Sequence, residues 1–153
     1  MTGHHVRVWL AGPIATELND LATAAAPRET GGLLLGWWDD DALVVRHAVE
    51  APDRQASRSS WNRRPGVAKR ALNIALQELD HPLLGYIGDW HSHPEVCGAS
   101  GRDTQSLAAT SLQYADPLVL LVHLPDRTLD VRAAHRGHPC SVSVSRQDPR
   151  TRS

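Results

Sequence analysis

Two histidines one residue apart, His91 and His93, close an apolar run that begins at Pro82 and ends at Trp90, and Pro94 follows them. Such a run reads as a strand, and along a strand residues i and i+2 point to the same face. The two imidazoles can therefore grip one ion, and the fold has to bring that strand end to a place where an ion can sit. Asp103 lies ten residues beyond His93, far enough for a loop to turn back and a helix to begin, so its carboxylate can supply a third ligand. Two imidazoles and one carboxylate leave a fourth tetrahedral position for water, which separates a catalytic zinc site from a closed structural one. The ion lowers the pKa of water from about 15.7 towards 7, and a base must still take the proton and pass it to the leaving group. Glu29 is the candidate for that base.

Each of these residues has a plainer reading. Isolated histidines are often surface or core fillers. Ser100-x-x-Asp103 is also the capping box of a helix start, a Ser followed three residues later by an acid. Both roles can coexist if Ser100 starts the helix and also donates a hydrogen bond to an oxyanion, while Asp103 on the first turn faces the metal. Glu29 alone is weak, because an acid before a Gly-Gly pair is an ordinary turn residue.

Taken together, His91-Ser92-His93-Pro94, Ser100-x-x-Asp103 and the upstream Glu29-Thr30-Gly31-Gly32-Leu33-Leu34-Leu35-Gly36 resemble the signature of the JAMM (JAB/MPN) zinc metalloproteases, in the prokaryote-type JAB form. The resemblance runs from Glu29 through the helix after Asp103. It implies an α/β fold related to the cytidine deaminases, a three-layer-like sandwich with a mixed β-sheet flanked by helices. It implies Zn2+ held by His91, His93 and Asp103, with Glu29 as general acid and base and Ser100 steadying the oxyanion. The implied substrate is a ubiquitin-like or sulfur-carrier protein with a Gly-Gly type tail, cleaved after its C-terminal glycine in precursor processing or deconjugation. One departure stands out: the family usually has ten residues between the second histidine and the aspartate, and this chain has nine, so the loop around Glu95-Val96-Cys97-Gly98-Ala99 is tighter.

The rest of the chain fits one domain over residues 1–145 with a disordered tail from Arg146 to Ser153. Its 153 residues, 41% hydrophobic and 22% charged, allow a genuine core, and a net charge of −1 makes no case for nucleic acid. Cys97 and Cys140 are too few for a disulfide framework, and no apolar stretch is long enough for a membrane span. With no secretory signal apparent, the expected location is the cytoplasm. Cys97 sits inside the metal loop and reads as a small buried filler, because a fourth protein ligand would close the position that water needs.

Periodicity places the elements. His5–Leu10 alternates as a strand; Ile14, Leu18, Leu21, Ala22 and Ala25 share a helical face that Pro27 ends. Leu33–Trp38 and Ala42–Val49 form a hairpin around Asp39-Asp40-Asp41, read as a solvated tip. Residues 50–64 form a long polar loop that could border the cleft and hold an extended tail, with Trp61 as an apolar anchor, or could equally be a merely solvated loop. Pro65 opens a helix with Ala68, Ala71, Leu72, Ala75 and Leu79 inward, and a third helix after Asp103 carries Leu107, Ala108, Ser111, Leu112 and Ala115. Leu118–Leu124 is a buried strand, Thr128–Ala134 its partner, and Ser141–Ser145 a short edge strand. His135 and His138 belong to a Gly/Pro-rich loop rather than to a metal site.

The missing motifs exclude rivals. There is no His-Glu-x-x-His, no Pro-Cys-x-x-Cys, no Gly-x-Ser-x-Gly and no Gly-Lys-Ser/Thr, hence no thermolysin-type, deaminase, serine-hydrolase or phosphate-loop signature. The alternative to a peptidase is a non-catalytic MPN-type scaffold, whose members typically lack one or more ligands.

Overall fold

The computed structural model describes residues 5–40, 42–95 and 97–146. In chain order it has β1 (His5–Leu10), α1 (Ile14–Ala25), β2 (Gly31–Asp39), β3 (Ala42–Glu50), α2 (Pro65–Leu79), β4 (Gly85–Ser92), α3 (Gly101–Ser111), β5 (Leu118–His123), β6 (Leu129–His135) and β7 (His138–Ser145). Local chemistry explains most of the boundaries. Ala26, which precedes Pro27, is pushed to ψ 139° and ends α1. Pro65 sits at the start of α2, where its missing N–H costs nothing, and Asp80 closes that helix in the left-handed conformation at φ 45°. The β2–β3 hairpin turns through Asp40 at φ 56°, while Asp41 of the acidic triplet, Val96 of the loop before α3 and the tail beyond Arg146 lie outside the described residues.

The sheet runs β1-β3-β2-β4-β5-β6-β7 and closes on itself. This corrects the sandwich expectation: the fold is α/β with a mixed sheet and three helices, but the sheet is a closed seven-stranded barrel. Closure comes from β7, which is no short edge. It pairs with β6 through a tight hairpin at His135 and His138, and it pairs in parallel with β1, whose other side already pairs in parallel with β3. Both flanks of β1 are thus satisfied and the sheet presents no free edge there.

Barrel closure divides the apolar residues into two sets. Val6, Val8, Leu34, Leu43, Val45, Ile87, Trp90, Val119 and Leu121 fill the interior, joined by Ile14 and Leu18 from α1. Leu118, Leu120 and Val122 face the other way and pack under Leu107 of α3. All six residues of β5 are therefore buried, as expected of a strand covered on both faces. The third helix starts earlier and stops earlier than its sequence face suggests: Leu112 already lies past its end and is 67% exposed.

One irregularity shapes the functional face. Between Leu34 and Leu35 the β2–β4 register slips, so that Leu34 faces Gly88 but Leu35 faces Tyr86, leaving β4 with an extra residue. Gly88 takes φ 152°, and a Cβ there would come within 1.9 Å of the Val119 carbonyl oxygen, so only glycine fits. The bulge resets the alternation. Ile87 and Trp90, three residues apart, both point into the core, while Tyr86, Asp89 and His91 share the opposite face. Trp90 is fully buried, with its indole N–H donating to the Val49 carbonyl at 3.1 Å.

Candidate active site

β4 ends beneath a cavity of about 660 Å3, and the sequence-nominated residues gather there. His91 is the penultimate residue of β4, 7% exposed, and His93 stands just past the strand's end. Their Nε2 atoms are 3.0 Å apart, and Asp103 Oδ2 is 3.4 Å from the first and 3.5 Å from the second. A tetrahedral ion about 2.0–2.1 Å from each donor requires neighbouring donors about 3.3 Å apart, so this triangle has the dimensions of one face of a zinc tetrahedron. The Glu29 carboxylate adjoins it: one ligand atom each from Glu29, His91 and His93 lie within 4.8 Å of one another. The donor set, two imidazoles with carboxylates and no thiolate, suits zinc in an open site.

Each group is held by identifiable contacts. The His93 Nδ1 lies 2.8 Å from the Cys97 carbonyl, which can only accept, so Nδ1 carries the hydrogen and Nε2 offers its lone pair. Glu29 precedes β2 on a segment sewn to β4: Ser92 N–H donates to the Thr30 carbonyl at 2.8 Å and Thr30 N–H donates to Ser92 Oγ at 2.9 Å. The residue between the two histidines thus fixes the acid. Burial raises the Glu29 carboxyl above its ordinary value, against the opposing pull of His93 and His91 and with help from Asp103.

Ser100 and Asp103 form the expected capping box at the start of α3. Ser100 Oγ accepts the Asp103 N–H at 3.1 Å, and Asp103 Oδ2 accepts the Ser100 N–H at 2.8 Å. Burial acts against the Asp103 charge, but the neighbouring His91 imidazole and the Ser100 N–H outweigh it and hold the carboxyl well below the usual range. Ser100 Oγ keeps its own hydrogen available for the cavity it lines. Cys97 departs from expectation: it is exposed, not buried. Its Sγ is 3.8 Å from His93 Nδ1, on the far side of the ring from the nitrogen that faces Asp103.

The polar segment after β3 forms the other wall. Trp61 stacks on the His91 ring, centroids 6.4 Å apart and 16° from parallel, and its indole N–H donates to the Ala51 carbonyl at 3.1 Å. The loop turns around Asp53, whose carboxylate accepts the N–H groups of Asn62 and Gln55 at 3.0 Å each and Arg64 Nε at 3.1 Å. Burial alone would push this carboxyl up, and these donors hold it below its ordinary value. Arg63 lies 3.7 Å from Asp89 and over the Tyr86 ring, and the Tyr86 hydroxyl donates to Asp89 at 2.9 Å. Burial raises Asp89 in spite of Arg63. Sequence reasoning missed these acids: the Asp53 contacts form within an irregular loop, and the Tyr86–Asp89 contact depends on the β4 bulge. Of the other histidines considered, His135 Nε2 lies 3.0 Å from the Ala115 carbonyl and takes no part in the cluster.

Residues 12–136 match a family described as prokaryotic homologs of the JAB domain. The chain is similar to the CD-NTase/cGAS isopeptidase of Enterobacter hormaechei subsp. hoffmannii (strain UCI 50), 33% identical over 106 residues that make up 64% of this chain and 57% of that protein. The chain thus spans little more than half the length of that relative. Among solved structures it resembles protein DSY2949 of Desulfitobacterium hafniense, with a TM-score of 0.65 at 18% identity, covering 94% of this chain and 97% of the other. It also resembles AF2198, a JAB1/MPN domain protein of Archaeoglobus fulgidus, with a TM-score of 0.50 at 15% identity over 88% and 96% of the two chains. At such identities these two likenesses speak for the fold.

Proposed function

The chain belongs to the family of prokaryotic homologs of the JAB domain, and from that premise we propose that it is a zinc-dependent peptidase or isopeptidase cleaving after the C-terminal glycine of a ubiquitin-like or sulfur-carrier protein. The observation that carries this reading is the triangle of His91 Nε2, His93 Nε2 and Asp103 Oδ2, with sides of 3.0, 3.4 and 3.5 Å, and a buried carboxylate beside it. His91, His93 and Asp103 would hold the ion. Zinc bound there supplies Lewis-acid chemistry, polarising the scissile carbonyl and making water a stronger acid.

The chain's own groups do the remaining work. Glu29 takes a proton from the attacking water as its oxygen bonds to the carbonyl carbon. It returns that proton to the nitrogen as the C–N bond breaks, leaving a carboxylic acid and an amine. Its raised carboxyl suits a group that must accept and release one proton. Ser100 donates its hydroxyl hydrogen to the developing oxyanion, since its lone pair is already engaged by the Asp103 N–H. Trp61 stacks on His91 and walls the cleft, and a glycine tail without side chains could lie along that wall.

The relative named an isopeptidase favours removal of a conjugate over processing of a precursor. The competing reading, a scaffold without metal, is separated by zinc content: purified protein carrying no zinc would favour it. The direct test is mass spectrometry of a ubiquitin-like protein with a short C-terminal extension, incubated with wild type and with Glu29→Gln. Cleavage after the terminal glycine by wild type, slowed by about 10²–10⁴-fold in the variant at unchanged zinc content, is the expected result. Equal cleavage by both removes Glu29 from the mechanism.

A further inference from the structure

Outside the groups given roles above, one acid on a neighbouring strand reaches into the loop that joins the two halves of the site. Asp130 lies in β6 opposite Val122 of β5, and Val122 lies beside His91 of β4, so the three share one rung of the sheet and one face. From there its Oδ2 accepts the Ala99 N–H at 2.7 Å. Arg132 grips the same carboxylate, with Nε 3.0 Å from Oδ1 and Nη2 3.2 Å from Oδ2. The backbone presses so closely against this acid that a Cβ on Gly98 would lie 2.4 Å from Oδ2.

The two halves of the site hang on either side of that pinned pair. One residue before Gly98, the Cys97 carbonyl fixes the hydrogen on His93 Nδ1. One residue after Ala99, Ser100 caps α3 and sets Asp103. Only nine residues separate His93 from Asp103, so the placing of the Gly98–Ala99 pair bears on both ends of the span.

We propose that Asp130, braced by Arg132, is a positioning residue that shapes the Gly98–Ala99 turn and thereby brings His93 and Asp103 to one point. The proposal rests on the reading of His93 and Asp103 as ligands, and two measurements separate the fate of one from the other. The first is amide hydrogen exchange on metal-free protein, comparing wild type with Asp130→Ala and Asp130→Asn. In Asp130→Ala the amides from Ala99 to Asp103 should exchange about 10-fold faster while those of β4 and β5 hold. Asp130→Asn keeps an oxygen for the Ala99 N–H and should restore most of the protection; it also serves if the alanine variant does not fold.

The second is a cobalt(II) titration followed by its visible spectrum. Affinity should fall about 10–100-fold in Asp130→Ala, with an altered band, and recover in Asp130→Asn. Gly98→Ala should do similar damage in the wild-type background but much less in Asp130→Ala, where the obstructing oxygen is gone. Unchanged exchange in Asp130→Ala overturns the brace, and unchanged cobalt affinity with faster exchange overturns its bearing on the ligands. A wild type that binds neither cobalt nor zinc sinks the zinc reading itself, and the exchange result still decides whether Asp130 shapes the turn.

Discussion

The proposed metal ligands are fixed in two contrasting ways. His91 belongs to a strand hydrogen-bonded to β2 on one side and β5 on the other, with its register set against Gly31 and Val122. Its neighbour His93 is tied back by its own N–H to the His123 carbonyl at 2.9 Å. Asp103 stands on the first turn of a helix approached by a loop, and it keeps its place through a capping box and through Asp130 behind the loop. The strand half is determined by cooperative backbone pairing, the loop half by a handful of side-chain contacts. Substitutions in the first should remove chemistry and leave shape, whereas substitutions in the second should disturb both.

The largest effect sharpens this contrast most directly. His93→Ala removes one corner of the triangle but no rung of the ladder. Zinc content should drop to background, a loss beyond the about 10–100-fold that an outer partner's removal costs a metal site. The melting free energy of metal-free protein should change by no more than about 1 kcal/mol. Inductively coupled plasma analysis paired with urea unfolding checks both halves. A metal-free variant unfolding several kcal/mol more easily would mean that the strand half, too, depends on its side chains.

Ser100 tests the loop half, where support and chemistry share one hydroxyl. Ser100→Ala should cost about 1 kcal/mol through the lost cap, and Ser100→Gly only a few tenths. Both remove the donor aimed at the oxyanion and should lower kcat by about 10²–10³-fold. Equal rates with unequal stabilities would separate the two roles. Rates that track stability would reduce Ser100 to a cap.

How much of this was legible in the sequence follows the same division. The histidine pair and the capping box are written in local spacing, the upstream acid stands out only through the family resemblance, and the structure brings Glu29, His91, His93, Ser100 and Asp103 to one cavity. The strands of β1, β2, β3 and β5 follow from alternation or continuous apolar runs. Barrel closure was not legible, because Ser141–Ser145 shows its period but not that its partner is a strand more than a hundred residues earlier. The Gly88 bulge was equally hidden: simple alternation puts Tyr86 and Asp89 on opposite faces, and only the extra residue in β4 brings the Tyr86 hydroxyl to the Asp89 carboxylate. Asp53 and Asp130 were hidden for different reasons: Asp53 is held by Gln55, Asn62 and Arg64 of its own irregular loop, which has no period to read, and the Ala99 N–H that Asp130 accepts comes from a loop thirty-one residues away.

Asp53 offers the smallest effect and the finest test, because its loop belongs to neither half yet places Trp61 on His91. Its folded carboxyl lies below the ordinary value, so the unfolded chain binds a proton more readily than the folded one. The stabilisation is therefore fully present above the unfolded pKa of about 3.9 and is lost as pH falls through the lower folded value. Asp53→Asn cannot offer acceptors to all three donors, and it should destabilise the protein by about 1–3 kcal/mol at neutral pH. That difference from wild type, measured by urea unfolding, should stay level down to about pH 5 and shrink below about 3.9 as the wild-type acid protonates. Zinc content should hold, and KM should rise several-fold with kcat little changed if Trp61 serves to hold a tail. A stability difference indifferent to pH would mean that the Asp53 charge does not hold the loop, and that the wall over His91 is kept in place by the Trp61 stack and the Ala51 carbonyl instead.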